Sequence, residues 1–574
     1  MKVIAIDIET DSSDALSTNI LGISFCMEPH KAYYVNLDVP LDQQMEIIER
    51  LKPILQDPDT TFIAHNAKFE INVLRRYGIN FTGKIVDTMV MHYVLYPHHK
   101  THKLKVLSRQ IFNYQQIEFN DIAIGKTKKE KTLKGVDVKV VSDYCCEDGD
   151  QTFQFHDFFK VLIEQNNLNS TFELDNQVVP IIADMERYGV LINRTQVEAV
   201  KEQLSKDLEK VLEDIHLYIP KDLNINSSKQ LSDFLFEKLE IIPIGEKGKA
   251  GHYQVSKDVL KQLLPQHPVI ASLLSYKAIN KVLSTFLPAL RKADPTTGRL
   301  HASFNQTSTA TGRFSSSGPN LQNIPGDLRI RSCFVAQPGW TFIGVDYSNI
   351  ELRVMAVLSK DAIMIKAYGE GIDLHSFTAS QIFGMSMEQI TKAQRAVGKT
   401  VNFGLIYGMS EFGLSKRLLD QGLDYTVEEC KQFINTFFEK YPGVAKFSDE
   451  LIYQATINGY AQTMFGRKRP LPDINSSDHY KRTAAKRLAL NTPIQGSAAD
   501  ILKMAMVKIH NRIKEEKLQS RILLQVHDEL LLEVPESEKD YMKEMVRHEM
   551  ENVVRLPIAL EVELKTGKTW ADVH

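Results

Sequence analysis

Two acidic segments lie far apart in this chain, Val345-Asp346-Tyr347-Ser348-Asn349-Ile350-Glu351-Leu352-Arg353 and Val526-His527-Asp528-Glu529-Leu530. In each, a carboxylate sits beside an apolar run that reads as a buried strand, and burying an unpaired charge is costly. A cation offsets that cost. Two carboxylates from separate strands could hold divalent metals about 4 Å apart, the arrangement that clamps the attacking and leaving oxygens of phosphoryl transfer. Either segment alone also fits acids that end a strand at a solvated edge. A third segment, Gln394 to Gly408, spaces Arg395, Lys399, Phe403 and Tyr407 four apart, a helical stripe of two cations and then two rings. Such a face could hold a triphosphate by charge-assisted hydrogen bonds and stack a base on an aromatic plane, although a plain amphipathic helix shares the spacing.

A second set of acids opens the chain. Asp7-Ile8-Glu9 puts two carboxylates on one face of a strand, because side chains two apart point the same way. Glu70 follows in His65-Asn66-Ala67-Lys68-Phe69-Glu70, and Tyr144-Cys145-Cys146-Glu147-Asp148 sets Tyr144 and Asp148 one helical turn apart. Each of these alone reads as a surface acid. His98, His99 and His102, beside Pro97 and two lysines, read as a solvated turn in preference to a metal cluster. The lysine-rich stretch from Gly125 to Lys139 reads as a solvated loop in preference to a nucleic-acid contact.

These residues need elements to carry them. From Val3 to about Phe159 short apolar strands alternate with helical patterns, which predicts an α/β unit on a mixed sheet. From Phe172 helices dominate, broken at Asn224 to Ser228 and at the Gly/Lys-rich Gly245 to Gly251. Strands are expected from about Leu300, helices from about His375 to Ile457, and strands again at Ile522 to Val534 and Ile558 to Leu564. A chain of 574 residues, 43% hydrophobic and 25% charged, should divide into three or four globular domains. With a net charge of only -3, any polyanion surface must be a local concentration of Lys and Arg. The five cysteines contain no C-x-x-C pair, which argues against a zinc site and for reduced thiols in a cytosol-like compartment. No apolar stretch reaches membrane-spanning length, and Met1 to Asp7 runs straight into a strand pattern with no secretion signal.

In this order the motifs resemble the family A DNA polymerases, the group of bacterial DNA polymerase I, over nearly the whole chain. Asp346 to Arg353 is similar to that family's first palm motif, Arg395 to Gly408 to its fingers helix, and His527-Asp528-Glu529 to its second palm motif. Thr311-Gly312-Arg313-Phe314-Ser315-Ser316, Pro319 to Pro325, Gly466-Arg467-Lys468-Arg469 and Pro493 to Asp500 are further matches. The N-terminal acids resemble the DnaQ-like 3′-to-5′ exonucleases. The resemblance implies an α/β, RNase H-like exonuclease domain over residues 1–170 and an α+β right-hand polymerase over 171–574. Its thumb would fall at about 187–295, its palm at about 300–375 and 475–574, and its fingers at about 376–474. It implies template-directed addition of dNTPs to a primer 3′ end, with proofreading.

The resemblance also implies roles. Asp346 and Asp528 would bind two Mg²⁺, and Asp7, Glu9, Glu70 and Asp148 two more, with Mn²⁺ able to substitute. Tyr144 would help orient the attacking water. Arg395, Lys399 and His375 would hold the triphosphate, Phe403 would pack on the nucleotide, and Tyr407 would sit near the templating base. Glu351 would crowd the sugar C2′ position and exclude a ribose hydroxyl. Arg313, Arg467, Gln495 and His527 would contact primer and template, sensing pairing geometry through minor-groove acceptors. Primer-template DNA and dNTPs are the implied partners of a monomer in a bacterial or phage-infected cytoplasm, with an organelle and an added processivity factor left open. The chain starts at the exonuclease, so no 5′-nuclease domain is expected, and Thr569 to His574 resembles the family's terminus.

Some residues depart from the pattern. Glu70 stands where the family has Asp, which still allows metal binding if the backbone retreats. Asn349 replaces Gln, Phe314 replaces Leu, and Gly398 replaces Ala on the fingers helix, where Gly costs roughly 1 kcal/mol of helix propensity and could ease bending. Asn224 to Leu231 resembles a thumb segment that reaches DNA phosphates, and helix capping accounts for it equally well. A single-subunit RNA polymerase is the other enzymatic reading, and a duplex-binding protein with relic sites the non-enzymatic one. Glu351 and the exonuclease acids argue against the first, and the joint presence of Asp346, Asp528, Arg395 and Lys399 against the second.

Overall fold

The computed structural model describes residues 2–127, 130–248 and 250–574. Lys128 and Lys129 of the lysine-rich loop, Lys249 of the Gly/Lys-rich break, and Met1 lie outside the described residues. Five strands form the N-terminal sheet in the order Lys31–Asn36, Ile20–Glu28, Lys2–Thr10, Thr60–Ala64, Ile85–Asp87. The first three pair antiparallel and the last two run parallel to Lys2–Thr10. The sheet is therefore mixed, as alternating strand and helix patterns predict. Ile4, Ile6 and Ile8 enter its core with Phe62, Ile63 and Phe155. The 28-residue helix Val138–Gln165 lies across the first three strands and buries Tyr144, Cys145 and Asp148 against them.

The second sheet has four strands, all antiparallel, in the order Arg521–Val526, Glu529–Pro535, Trp340–Tyr347, Val562–Gly567. Trp340–Tyr347 is central and apolar on both faces, with Phe342, Ile343 and Val345 fully buried. The 37-residue helix His479–Glu515 packs beside this sheet. Between the first and last parts of the sheet stands a helical insert, Leu374–Phe383, Lys392–Ile406, Glu411–Leu419, Val427–Lys440 and Pro442–Asn458. The last strand starts at Val562, four residues later than the apolar run Ile558 to Leu564 suggests. Its partner ends at Tyr347, opposite Val562, so Ile558 is buried without a ladder to join. The helices from Arg194–His216 to Val269–Lys281 have their own apolar core around Leu231, Leu260 and Leu273. Within them Ser227 caps the helix Ser228–Asp233 by accepting from Gln230 N, which favours capping for that segment.

His102 departs from the solvated turn expected of it. It is 6% exposed, and its Nδ1 lies 2.7 Å from Nδ1 of His92, which points at it from the helix Thr88–Leu95. His65 Nε2 lies 2.8 Å from the His102 carbonyl oxygen. Burial lowers the pKa of His65 and His102 to about 4 and that of His92 to about 3, the neighbouring imidazoles adding to the effect. A histidine held neutral by the fold contributes stability that is complete above its unfolded pKa and is lost as pH falls below about 6.5. The melting temperature should therefore drop between pH 7 and pH 5. Each histidine can add up to about 1.36 kcal/mol per pH unit, and His92→Phe with His102→Leu should flatten that slope. A scan equally steep in the double variant would place the acid sensitivity elsewhere.

Candidate active sites

The larger site forms where the second sheet meets the helical insert. Asp346 is the next-to-last residue of Trp340–Tyr347, with Glu529 opposite on one side and Glu563 on the other. Asp528 precedes Glu529 in the two-residue turn His527-Asp528 that joins the outer hairpin, and His527 takes the left-handed backbone the turn needs (φ 55°). Tyr347 N donates to the Asp528 carbonyl oxygen at 3.4 Å, which ties the turn to the end of the central strand. The pairing of Asp346 and Asp528 thus follows from register. Asp346 is exposed at the strand end, yet partial desolvation and then the Asp528 charge push its carboxyl up to about 7, with Glu529 and Glu563 adding to the shift. Burial also raises Asp528, which Arg313 partly offsets.

Two adjacent carboxylates short of positive charge form a hard oxygen donor set, which suits a divalent cation. Arg313 is the nearest side-chain cation, with Nη2 3.7 Å from Asp528 Oδ1 and bonded to Glu351 Oε1. Glu351, 4% exposed, lies in the first turn of Ile350–Ser359 and also accepts from the Tyr407 hydroxyl. Gln495 hydrogen-bonds Tyr407 in turn. Glu529 is only a neighbour of the pair, since its carboxylate takes the Trp570 indole N–H at 3.3 Å.

The cation and ring stripe faces this centre from the helix Lys392–Ile406, whose start is fixed by a capping box between Thr391 and Gln394. Tyr407 is its C-cap, so the stripe closes at the helix end. Lys399, Phe403 and Tyr407 share one cavity of about 620 Å³ with Arg417 and Gln421. Arg395 is exposed and held by Asp373, Nε to Oδ2 at 2.7 Å. His375, expected at the phosphates, sits among protein partners in this structure. It is 3% exposed and packs on Phe403, its Nε2 donating to Asn349 Oδ1 at 3.3 Å and its Nδ1 accepting from Asn402 Nδ2 at 3.0 Å. Gly398 also serves packing, because a Cβ there would sit 2.3 Å from the His375 carbonyl oxygen.

Arg467 corrects the sequence expectation outright. A DNA contact needs an exposed guanidinium, and this one is 1% exposed. It bonds both Asp175 oxygens at 2.8 and 2.7 Å and Asp500 Oδ1 at 2.9 and 2.7 Å, while Lys503 Nζ reaches Asp175 at 2.7 Å. This buried, neutral quartet joins three elements: the helix Asn169–Tyr188, the long helix and the Gly466-Arg467 turn. It lies under Gly312 (φ 89°), where a Cβ would meet Arg467 Nε at 2.9 Å. Arg467 therefore acts on the site through the turn that carries Arg313.

The second site lies in the N-terminal domain. Asp7 and Glu9 share one face of Lys2–Thr10, Glu70 sits in the first turn of Lys68–Arg76, and Tyr144 and Asp148 come from Val138–Gln165. All five sequence candidates fall in this one cluster. Among the described residues, ligand atoms of Asp7, Glu9 and Cys145 lie within 4.8 Å of one another. Burial raises every carboxyl: Asp7 to about 6, Asp148 to about 8, and Glu9 and Glu70 well above the usual range, with the Asp7 charge adding to each of the other three. Glu70 Oε2 is buried with no hydrogen-bond partner, an orphaned acceptor that fits a cation held between it and Asp7. The Cys145 thiol, raised by burial, is a poor partner for a hard cation and instead faces Asp7 at 3.6 Å. Sequence reasoning missed Lys105, whose Nζ is 3.1 Å from Asp148 Oδ1 and 3.8 Å from the Tyr144 ring centroid. It missed Glu563 as well. A lone lysine or a strand acid carries no sequence signal of its own.

The fold and its two sites define a chain with two carboxylate centres suited to metal-assisted phosphoryl transfer, one on each sheet. Residues 194–572 match the model of DNA polymerase family A, and residues 1–164 match that of the 3′-5′ exonuclease. The chain belongs to DNA polymerase family A, with a 3′-5′ exonuclease domain ahead of the polymerase domain. It is similar to DNA polymerase I of Treponema pallidum, 35% identical over 100% of this chain and 61% of that protein. It also resembles DNA polymerase I of Caldicellulosiruptor bescii, 37% identical over 89% of this chain and 58% of that protein. The chain thus spans less than two thirds of the length of the curated relatives it matches. Among solved structures, the POL domain of Pol1 from M. smegmatis, in complex with DNA primer-template and dNTP, aligns at a TM-score of 0.88 and 31% identity over 99% of this chain and 96% of that one. No helix among the described residues is long and apolar enough to cross a membrane.

Proposed function

We propose that this chain is a template-directed DNA polymerase that adds dNTPs to a primer 3′ end and removes mispaired ends with its 3′-to-5′ exonuclease, as a monomer in the cytoplasm. The observation that carries the reading is the meeting of Asp346, Asp528, Arg313 and Glu351 at the end of the central strand, opposite Lys399 and Phe403. In this reading residues from about 300–375 and 475–574 act as palm, about 376–474 as fingers and about 187–295 as thumb. Asp346 and Asp528 would hold two Mg²⁺, or Mn²⁺, which when bound lower the pKa of the primer hydroxyl and offset the charge on the departing pyrophosphate. Lys399 and Arg395 bind the triphosphate by charge-assisted hydrogen bonds, Arg395 exchanging its Asp373 partner for phosphate oxygens. Phe403 covers the nucleotide. Gln495, Arg313 and His527 line the primer and template. Asp7, Glu9, Glu70 and Asp148 would hold the exonuclease metals, and Tyr144 would orient the water that attacks the last phosphodiester.

Primer extension on a template with a mismatched primer end tests both activities at once. Extension by dNTPs after trimming supports the proposal, and a chain that only binds duplex would sink it. Asp7→Ala should stop removal of the mismatched nucleotide and leave extension from a paired end unchanged. Trimming that continues in this variant would take Asp7 out of the exonuclease site.

Glu351 bears on sugar choice. Its side chain is buried and pinned by Arg313 and Tyr407, which supports a rigid gate at the sugar in this reading. Glu351→Ala should raise the ratio of ribonucleotide to deoxyribonucleotide incorporation by roughly ten- to a hundredfold, the range over which one small group in a pocket discriminates. The rate with dNTPs should also fall, because Arg313 loses its anchor. Single-nucleotide incorporation with matched rNTP and dNTP gives the ratio, and an unchanged ratio would remove Glu351 as the sugar gate.

A further inference from the structure

A cavity of about 500 Å³ lies at the opposite end of the polymerase sheet from the acids. Trp340, which opens the strand ending at Asp346 and Tyr347, lines it together with Arg521, which opens the strand leading to Asp528. Six residues of strand and turn separate Arg521 from Asp528, roughly 20 Å. The cavity is therefore distinct from the site of phosphoryl transfer. Its remaining walls come from the helix Asn169–Tyr188, the C-terminal end of the long helix His479–Glu515 and the connection that follows it from Lys517 to Ser520.

Its charge is unbalanced. Lys514, Lys517 and Arg521 line it, and among the described residues no carboxylate lies within 4.0 Å of either lysine. One acid, Asp184, lines it, two more, Glu533 and Glu538, bond lining residues, and each is already engaged. Asp184 is held by Arg75 at 2.7 Å with Arg187 at 3.7 Å, Glu533 by Arg299 at 2.8 Å with Arg521 at 3.4 Å, and Glu538 accepts from Gln519 N and Ser520 N. Of the residues lining the cavity, three are cations and one, Asp184, is a carboxylate.

One buried nitrogen also lacks a partner. His510 Nε2 has no hydrogen-bond partner and lies 3.7 Å from Asp184, too far to bond it, whereas Arg521 Nε is 3.4 Å from Glu533 Oε2. The Arg521 guanidinium is fixed between the rings of Tyr188 and Trp340, 5.0 and 4.4 Å from their centroids. The negative end of the helix dipole accounts for Lys514 in the last turn of the long helix and Lys517 just beyond it. It does not account for a buried imidazole nitrogen left unpaired, which native structures seldom leave without an ion or water.

We propose that this cavity binds a phosphate-rich small anion of the di- or triphosphate class, with Lys514, Lys517 and Arg521 as its charge partners and His510 Nε2 as a donor. A single phosphate or carboxylate would meet only part of the wall. A chain of linked phosphates spans the lysines and the arginine together and fits a volume in the usual range for small-molecule sites. Inorganic tripolyphosphate and the phosphate tail of a nucleotide share this chemistry.

The protein carries its own reporter. Of its two tryptophans, Trp340 lines the cavity and Trp570 is fully buried against Phe334, so a ligand here changes the emission of Trp340. Titration of the full chain with inorganic tripolyphosphate in EDTA should give a saturable fluorescence change that weakens with added salt. Lys514→Ala/Lys517→Ala should raise the half-saturation concentration at least tenfold with unchanged melting, and Trp340→Phe should remove the signal. ATP saturating at the same concentration identifies the phosphate chain as the ligand, and ATP saturating lower identifies a nucleotide. No saturable change with either ligand, or an equal response in the lysine variant, overturns the proposal. So does an oligonucleotide that displaces both at lower concentration, because the surface would then belong to nucleic acid.

Discussion

Replacing Asp528 with Ala should abolish primer extension, by at least about a thousandfold, and leave the melting temperature unchanged or slightly higher. The loss follows from the donor set. With one carboxylate gone, Asp346 alone would hold the cations that stabilise the pentavalent phosphorus, and metal stabilisation worth several kcal/mol corresponds to about three powers of ten in rate. The retained stability follows from what Asp528 does in the fold. The tie from its turn to the central strand is the bond from Tyr347 N to its backbone oxygen, which alanine keeps. Its carboxylate has one cation nearby, Arg313 at 3.7 Å, and that cation already has Glu351.

The substitution also relieves crowding, since Asp346 is raised by partial desolvation and then by the Asp528 charge before any other carboxylate. Single-turnover extension together with a thermal scan separates the two effects. Synthesis above about a tenth of the original rate would remove Asp528 from the metal site. A melting temperature several degrees lower would show that Asp528 holds the hairpin, contrary to the geometry described.

Much of this arrangement was legible in the sequence because it is local. Asp7 and Glu9 share a face by the period of a strand, Tyr144 and Asp148 by the turn of a helix, and the stripe from Arg395 to Tyr407 by the same helical spacing. The helical insert showed itself by its periodicity. What the residues alone could not give was the meeting of Asp346 with Asp528, which depends on strand pairing across more than 180 residues; only the family resemblance supplied it. The misreadings have the same origin. His102 follows a Pro and Lys turn, and nothing nearby announces that His92 faces it from the preceding helix. Arg467 stands in a glycine turn that reads as surface, while one of its partners, Asp175, is 292 residues away. The packing role of Gly398 was hidden likewise, because its neighbour, the His375 carbonyl, belongs to another helix.

Arg467→Ala should be the most destabilising single substitution among the candidate site residues. Removing one partner of a buried ion pair leaves an uncompensated charge and costs about 3–5 kcal/mol. Here two carboxylates, Asp175 and Asp500, would be left with Lys503 alone. The melting temperature of the unit that contains the quartet should fall by at least about 6 °C, taking 2–4 °C per kcal/mol for a domain of this size. Lysine should not rescue it, because a point charge cannot bond both carboxylates in the planar fork that arginine presents. The loss should depend on pH in a definite sense. Burial works against the Asp175 charge, but Arg467 and then Lys503 hold its pKa down to about 2, so its contribution is complete above the unfolded value near 3.9 and is lost as pH falls through about 2. The gap between wild type and Arg467→Ala should accordingly close in acid. A double-mutant cycle with Asp175→Asn should give a coupling of 1 kcal/mol or more, as expected for groups in one network. A variant with unchanged melting and weaker primer-template binding would instead return Arg467 to the DNA surface. A large drop in melting, with DNA affinity at low temperature nearly intact, fixes it as the support beneath the Arg313 turn.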